Sequence, residues 1–398
     1  MADILFLCDT YAPSLGGSET SLLNAVRGTV ASGHHVIVFT PASLLGAEAE
    51  RAFDTGEPYK VVRSRLWRRL FDLGGSKSAI VNRLARAAIV ILLFLRGARI
   101  KPVDVIVAGH PVPLGNVALA LKRLRGKPII IITHGEDVTM FSRTTRMRSM
   151  LATALAGADV VTCSTVDSAK EIARVAMFAA EQTVVWPPAL DAAGAEVAAE
   201  KVEEVRQRHG LAGRRVLLTV GRLVPRKGVD TTLRALASLA EEFPELVYLV
   251  VGTGPYDKDL KSLAVKLGII ERVVFAGSVD DTRPYYHAAD VFVMPNRMMP
   301  DGEREGYGIV FVEAGLAGKP VIGGRSGGAQ EAVKEGETGL LVNPESPNEV
   351  AAAIRRLLTE PGLAGKLGDE GRRHALELTA PEAQRARFDA LISKALGK

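Results

Sequence analysis

Residues 215–228 read Arg215-Val216-Leu217-Leu218-Thr219-Val220-Gly221-Arg222-Leu223-Val224-Pro225-Arg226-Lys227-Gly228. Arg215–Val220 has the character of a buried strand. It runs into a tight glycine turn bearing three cations, and helical sequence follows. A strand delivered through such a turn into a helix is the repeating unit of a parallel α/β sheet. Downstream, the alternation continues through Val247–Val251, Val273–Ala276, Val291–Met294, Pro320–Ile322 and Gly339–Val342. Upstream it runs independently through Ile4–Cys8, Val36–Phe39, Val103–Val107, Ile129–Ile132 and Val160–Cys163, with helical stretches such as Glu19–Ala31 between. Trp186-Pro187-Pro188 and the Ala/Glu-rich segment Asp191–Arg208 separate the two series as a hinge and a surface helix. The expected organisation is a first domain over 1–190, a second over 191–378, and a final helix over 379–398 that packs back toward the first. Thr379 is its expected cap, with Pro381 near the first helical position. The fold class is α/β, two doubly wound Rossmann-like domains facing a central cleft. Such sheets take ligands at the carboxyl ends of their strands, which makes that cleft the default site.

A chain of 398 residues, 47% hydrophobic and 24% charged, is too long for one ordinary core and too apolar to be disordered. Two cysteines, Cys8 and Cys163, suit a reducing compartment, and no Cys/His cluster has zinc spacing. Met1-Ala2-Asp3-Ile4 carries an acid and runs directly into a strand, so no secretory signal is read and a cytoplasmic location is expected. The net charge of +5 is unevenly spread. Residues 60–101 hold 11 basic side chains (among them Arg65, Arg68, Arg69, Lys77 and Arg83) against one acid, Asp72, with Leu66, Trp67, Leu70 and Phe71 interleaved. The uncharged run Ala87–Leu95 would reach only ~14 Å as a helix against a hydrocarbon core of ~30 Å, so it does not span a membrane. No nucleic-acid module accompanies the basic stretch, so nucleic acid is not an expected partner. It fits a peripheral seat on the anionic inner face of a membrane as well as it fits a solvated charged face over one core helix.

Several segments could carry chemistry. After the first strand, Asp9 leads to Gly16-Gly17 and a helix, where bare backbone amides can approach an anion or a sugar. The strand Ile129–Ile132 delivers His134 to its carboxyl end, where the ring can donate to or accept from a hydroxyl; a satisfied loop histidine is the plainer reading. His34, His35 and His287 read as structural. Arg222 and Lys227 could clamp a diphosphate beside a helix start. The turn is not a phosphate-binding Walker loop, because Lys227 is followed by Gly228. Gly252-Thr253-Gly254-Pro255 lacks the third glycine of a dinucleotide fingerprint. Glu305-Gly306-Tyr307-Gly308-Ile309-Val310-Phe311-Val312-Glu313 sets two carboxylates eight positions apart, ~12 Å if the whole span were helical. That suits two contacts on an elongated ligand better than one bond. Asp257-Lys258-Asp259 reads as a solvated helix start, and no metal site is expected.

Taken together, Gly16-Gly17, His134-Gly135, the Gly221–Gly228 turn, Gly252–Pro255, Phe275-Ala276-Gly277-Ser278-Val279, Glu305 through Glu313, and Gly324–Gly328 with Glu331 resemble the GT4-type retaining glycosyltransferases of the GT-B fold. The resemblance implies that Arg222 and Lys227 bind the diphosphate of a nucleotide-sugar donor and that Glu313 holds its ribose. Glu305 and His134 would contact hexose hydroxyls, Gly17 the phosphate side, and Gly277, Ser278 and Val279 the base. Gly306, Tyr307, Gly308 and Ile309 would line the donor's charged middle, with Asp9 and Gly16 on the acceptor side. Where the family often has a Pro-Asn-Gly-Val-Asp run at the domain junction, this chain has Pro187-Pro188-Ala189-Leu190-Asp191. The reaction implied is transfer of a hexose to a lipid-linked or sugar hydroxyl, with no cofactor and no obligatory metal. GDP-mannose is the first expected donor, since Pro300-Asp301-Gly302 followed by Glu305–Gly308 resembles mannosyltransferases acting on phosphatidylinositol mannosides. A UDP-hexose with a soluble acceptor is the alternative. An epimerase of the same fold would need further acids and bases, a hydrolase would not need the cationic turn, and an inactive scaffold would be expected to lose Arg222, Lys227 or Glu305.

Overall fold

The computed structural model describes residues 1–13, 16–73 and 79–397. Ser14 and Leu15 of the loop after Asp9, Lys77, and the side chain of Arg83 lie outside the described residues. The chain divides into two compact units, Met1–Leu190 with Pro381–Lys398, and Asp191–Ala380.

The first unit is built on a parallel sheet of seven strands, β1 (Asp3–Leu7), β2 (His35–Pro41), β3 (Lys60–Ser64), β4 (Val105–Ala108), β5 (Ile129–Ile132), β6 (Val160–Cys163) and β7 (Thr183–Val185). Their order across the sheet is β3-β2-β1-β4-β5-β6-β7. Successive side chains of a strand face opposite sides, and both sides are covered here. Leu5, Leu7, Ile106, Ile129 and Ile131 join one core with Trp67 and Leu93. Ile4, Phe6, Val105, Val107, Ile130 and Ile132 join the other with Leu22, Val26 and Phe388. Phe388 belongs to the last helix, Pro381–Ala395, and stacks on Phe6 at 5.9 Å between ring centroids.

The second unit repeats the plan with β8 (Arg215–Val220), β9 (Leu246–Val251), β10 (Val273–Gly277), β11 (Val291–Met294), β12 (Val321–Gly324) and β13 (Gly339–Val342), in the order β10-β9-β8-β11-β12-β13. In both sheets the order reverses beside the first strand, between β1 and β4 and between β8 and β11. At such a switch point the connections leave in opposite directions and open a crevice at the carboxyl edge.

The structure amends several expectations. β3 and β7 were not foreseen: both are edge strands, β7 has only three residues, and the exposed Lys60 with Arg63 hides β3 inside the basic stretch. Trp67 is 1% exposed and packs edge-on against Phe39, so it is core and not an interfacial aromatic. Thr379 ends the helix Leu363–Thr379, its hydroxyl donating back to the Ala375 carbonyl at 2.8 Å, and does not cap the helix that follows. The span Glu305–Glu313 is helical only from Ile309, so the ~12 Å spacing for a continuous helix does not apply. Among the described residues, no helix is long and apolar enough to cross a membrane.

Candidate active site

In the second unit the chemistry collects at the switch point between β8 and β11. Gly221 and Arg222 follow β8, and a single helical turn, Pro225–Lys227, brings the chain to the helix Val229–Leu239. Gly228 joins the two with φ +71°, and a Cβ there would collide with the Pro295 carbonyl, so only glycine lets the turn lie against the end of β11. The Arg297 amide donates to the Arg226 carbonyl at 2.8 Å and pins the same approach. Buried Asn296 donates to the Ser326 carbonyl at 2.9 Å and accepts from the Gly324 amide at 3.2 Å, tying in the end of β12.

This packing turns Lys227 inward. Its Nζ lies 2.5 Å from Glu305 Oε2, and both residues are only 8% exposed. Arg226 places Nη1 3.7 Å from the same oxygen and Nε 3.0 Å from Glu303 Oε1. Burial alone would raise the Glu305 carboxyl, but the charges of Lys227 and Arg226 and the Gly306 amide outweigh it and hold the group below its ordinary value. Glu305 is therefore an ionised carboxylate in a cationic pocket. Arg222 is exposed and has no protein partner among the described residues. Two of the turn's three cations are thus committed to carboxylates, while the third stands available to an anion.

Gly306 and the buried Tyr307 lead to Gly308, at φ +91°, and the helix Ile309–Leu316. Glu313 lies in that helix and accepts a 2.6 Å hydrogen bond from the Tyr286 hydroxyl. Burial raises its carboxyl above the ordinary value, against the pull of Tyr286 and of the Lys227 charge. Gly277 closes β10, and Ser278 and Val279 follow it at the carboxyl edge of that sheet, with no contact to Lys227 or Glu305 given by any bond among the described residues. Asp257 begins a helix and pairs with Lys261 at 2.8 Å, an ordinary surface pair.

In the first unit the switch point lies between β1 and β4. Asp9 follows β1, His110 follows β4, and His134 follows β5. Asp9 Oδ1 lies 2.7 Å from His110 Nδ1, and the rings of His110 and His134 are 4.8 Å apart. His134 Nε2 meets the Gly109 carbonyl at 3.0 Å, and its backbone amide donates to Asp137 at 3.1 Å. Gly16 and Gly17 form the exposed start of the helix Gly17–Ala31. His34 and His35 contact Asp389 and Asp3, each at 3.2 Å.

Sequence reasoning named Lys227, Glu305, Asp9 and His134 separately, and the structure brings Lys227 against Glu305 and Asp9 to the His110–His134 pair. Sequence reasoning missed the roles of Arg226, Tyr286 and His110. The signal for His110 was present, since it follows a buried strand by the same spacing rule that singled out His134.

Comparison with known proteins agrees over nearly the whole chain. The family described as Glycosyltransferase Family 4 matches residues 15–193, and Glycosyl transferases group 1 matches residues 201–374. A GDP-mannose-dependent alpha-(1-6)-phosphatidylinositol monomannoside mannosyltransferase of Mycolicibacterium smegmatis is 32% identical over 98% of both chains. A monoacylated-substrate counterpart from Corynebacterium glutamicum is 29% identical over 93% of this chain and 92% of its own. Among solved structures, Anabaena HepE in complex with UDP and glucose superposes with a TM-score of 0.79 at 22% identity, covering 99% of this chain and 100% of that one. Sucrose-phosphate synthase from Thermosynechococcus elongatus does so at 0.79 and 23%, covering 100% of each. At these identities the structural likeness speaks to the fold.

Proposed function

The chain belongs to the GT4-type glycosyltransferases of the GT-B fold, and on that footing we propose that it transfers mannose from GDP-mannose to a hydroxyl of a lipid-linked acceptor, with retention and without an obligatory metal. The observation that carries the reading is the switch-point cluster of Lys227, Arg226 and Glu305 with Arg222 unpartnered beside it. A sugar–phosphate bond breaks heterolytically when its leaving group is stabilised. Arg222 and Lys227 would neutralise the charge that grows on the departing diphosphate, the role a preorganised cationic site performs in a dry pocket. Glu305, locked as a carboxylate, would accept from hexose hydroxyls and orient the anomeric carbon. Glu313, oriented by Tyr286, would take the ribose hydroxyls. The departing phosphate oxygen can then collect the acceptor's proton on the face it leaves, which gives retention with no protein nucleophile. The choice of mannose and of a phosphatidylinositol-type acceptor rests on what the two mannosyltransferase relatives are described as using.

The same proposal seats the first unit on an anionic membrane through residues 60–101. The helix Ala79–Gly97 leaves Ile80, Leu84, Ile91 and Leu95 exposed, and the helix Arg65–Leu73 adds Leu66, Phe71 and Leu73. Arg65, Arg69, Arg86 and Arg96 are exposed around them. Exposed apolar side chains rimmed by arginine suit the headgroup region of an anionic bilayer.

The direct test is incubation with labelled GDP-mannose or UDP-glucose, with chelator, and with phosphatidylinositol monomannoside or a soluble sugar. Mannosylated lipid with an α linkage is expected from GDP-mannose. A β product, a covalent sugar–protein adduct, or turnover only with added divalent cation would each overturn part of the mechanism, and transfer only from UDP-glucose would overturn the donor.

A further inference from the structure

The family resemblance gives His134 a hexose contact but leaves His110 unexplained. His110 sits at the end of β4, one side of the first unit's switch point, and its surroundings fix the chemistry of both rings. The Gly109 carbonyl can only accept, so the 3.0 Å contact from His134 Nε2 requires a proton on that nitrogen. Burial and the neighbouring His110 both disfavour a second proton on His134, leaving its ring neutral and its Nδ1 a bare acceptor. For His110 burial also opposes charge, but Asp9 at 2.7 Å overcomes it and pushes the ring up to about 9. With Nδ1 facing Asp9, the remaining Nε2–H is a donor. His110 Nδ1 meets Asp9 Oδ1 as a charge contact outside good hydrogen-bond alignment, and neither His110 Nε2 nor His134 Nδ1 has a hydrogen-bond partner among the described residues.

We propose that His110 is a second sugar-recognition residue: paired to Asp9 as an imidazolium, it presents a fixed donor beside the fixed acceptor of His134, and together they read two neighbouring hydroxyls of a polyol. One hydroxyl accepts from His110 Nε2–H, and its neighbour donates to His134 Nδ1. A hydroxyl can do either, so a vicinal diol satisfies both rings at once, whereas a deoxy analogue leaves one of them unpaired. The diol can belong to the donor hexose or to the polyol headgroup of the acceptor. The inference rests on the transferase reading, and the charged and titratable groups around it are Asp9, the neutral Cys8 thiol beside it, Glu19 on the helix Gly17–Ala31, the neutral His134, and Asp137 on the helix Glu136–Ser142.

The protein has seven histidines, few enough to follow individually by long-range 15N–1H spectroscopy of the full chain between pH 6 and 10. His110 is expected to stay doubly protonated past pH 8, and His134 to remain neutral with its proton on Nε2. GDP-mannose moving both rings when GDP alone does not assigns the diol to the donor; a soluble glycerophosphoinositol headgroup moving them assigns it to the acceptor. A neutral His110 at pH 7.5, a His134 proton on Nδ1, or GDP binding with no ring responding to either polyol overturns the proposal while leaving the transferase reading intact. Failure of GDP itself to bind overturns both. In turnover, wild-type kcat/KM should fall as pH rises through about 9, where the imidazolium is lost. His110→Gln keeps a side-chain N–H but no titrating charge. It is expected to lose about tenfold in kcat/KM at pH 7.5, the worth of one polar contact, and to run flat through the pH range where wild type declines. Asp9→Asn should move the wild-type alkaline limb to lower pH. A His110→Gln enzyme with wild-type kcat/KM and an unchanged alkaline limb overturns the role.

Discussion

Arg222 and Lys227 stand five residues apart in one turn, yet they carry different loads. Arg222 is exposed and unpartnered among the described residues, so Arg222→Ala should leave the fold intact. Loss of one electrostatic stabiliser of the leaving group should cost on the order of 10²–10³ in kcat. Lys227 is also half of a buried pair. Its removal leaves Glu305 with Arg226 alone at 3.7 Å, and breaking a buried pair costs about 3–5 kcal/mol. Lys227→Ala should therefore lose both activity and several degrees of melting temperature, whereas Arg222→Ala loses activity only. Calorimetry beside steady-state kinetics separates the two, and equal melting temperatures would contradict the buried-pair account. Glu305 bears on this through pH. Its folded carboxyl is held below its ordinary value, so its contribution to stability is present above the unfolded value and is lost as pH falls through the lowered one. At this scale the types and positions of the charged residues were legible in the sequence. Which cation is spent on a carboxylate was not, because that depends on how the turn packs against Pro295 and Arg297.

The strands that lie inside the sheets declare themselves as apolar runs, since a strand buried on both faces has no polar side to show. β5 is Ile129-Ile130-Ile131-Ile132, and all four residues are buried. Edge strands have a wet side that interrupts the apolar run, which hides β3, and β7 has only three residues. The helix Ala79–Gly97 is intermediate. Its apolar run was plain, but only the structure shows that Leu93 faces the core while Ile80, Leu84, Ile91 and Leu95 face out. Those four are spaced by 4, 7 and 4 residues, one stripe of a helix. The membrane proposal is tested on this element. Flotation with phosphatidylinositol-containing vesicles should capture the protein at low salt and release it at high salt. Arg68 is already paired to Asp72 at 2.8 Å, so Arg65 and Arg69 should matter most. Near a charged surface each arginine contributes about 1 kcal/mol, so Arg65→Glu with Arg69→Glu should weaken binding more than tenfold. An unbound wild-type protein at low salt would make this face a solvated one and the acceptor a soluble molecule.

Across the whole molecule, the chain builds two sheets of the same winding and then returns its last helix to the first unit. Phe388, 1% exposed, is held by Phe6 and Trp186, each at 5.9 Å. Truncating a buried phenylalanine to alanine costs about 3–5 kcal/mol. Phe388→Ala should therefore lower the melting of the first unit, although the chain that leads into its helix, up to Ala380, belongs to the second. GDP, by contrast, should raise the melting of the second unit as its concentration passes the dissociation constant. A Phe388→Ala protein melting as wild type would mean that the terminal helix adds nothing to the core it touches.

The number of sheets, most of their strands, the family, and the residues standing at the strand ends are all legible in the amino-acid order. They are so because burial on two faces and glycine turns leave local marks within a few residues of one another. Tertiary structure alone decided the pairing of Lys227 and Arg226 with Glu305, the inward placement of Trp67, and the meeting of Asp9 and His110 with His134. Those contacts join residues from 24 to 101 positions apart, and their geometry follows from strand order. A switch point exists only when β4 lies beside β1, and no local stretch of sequence specifies that neighbour.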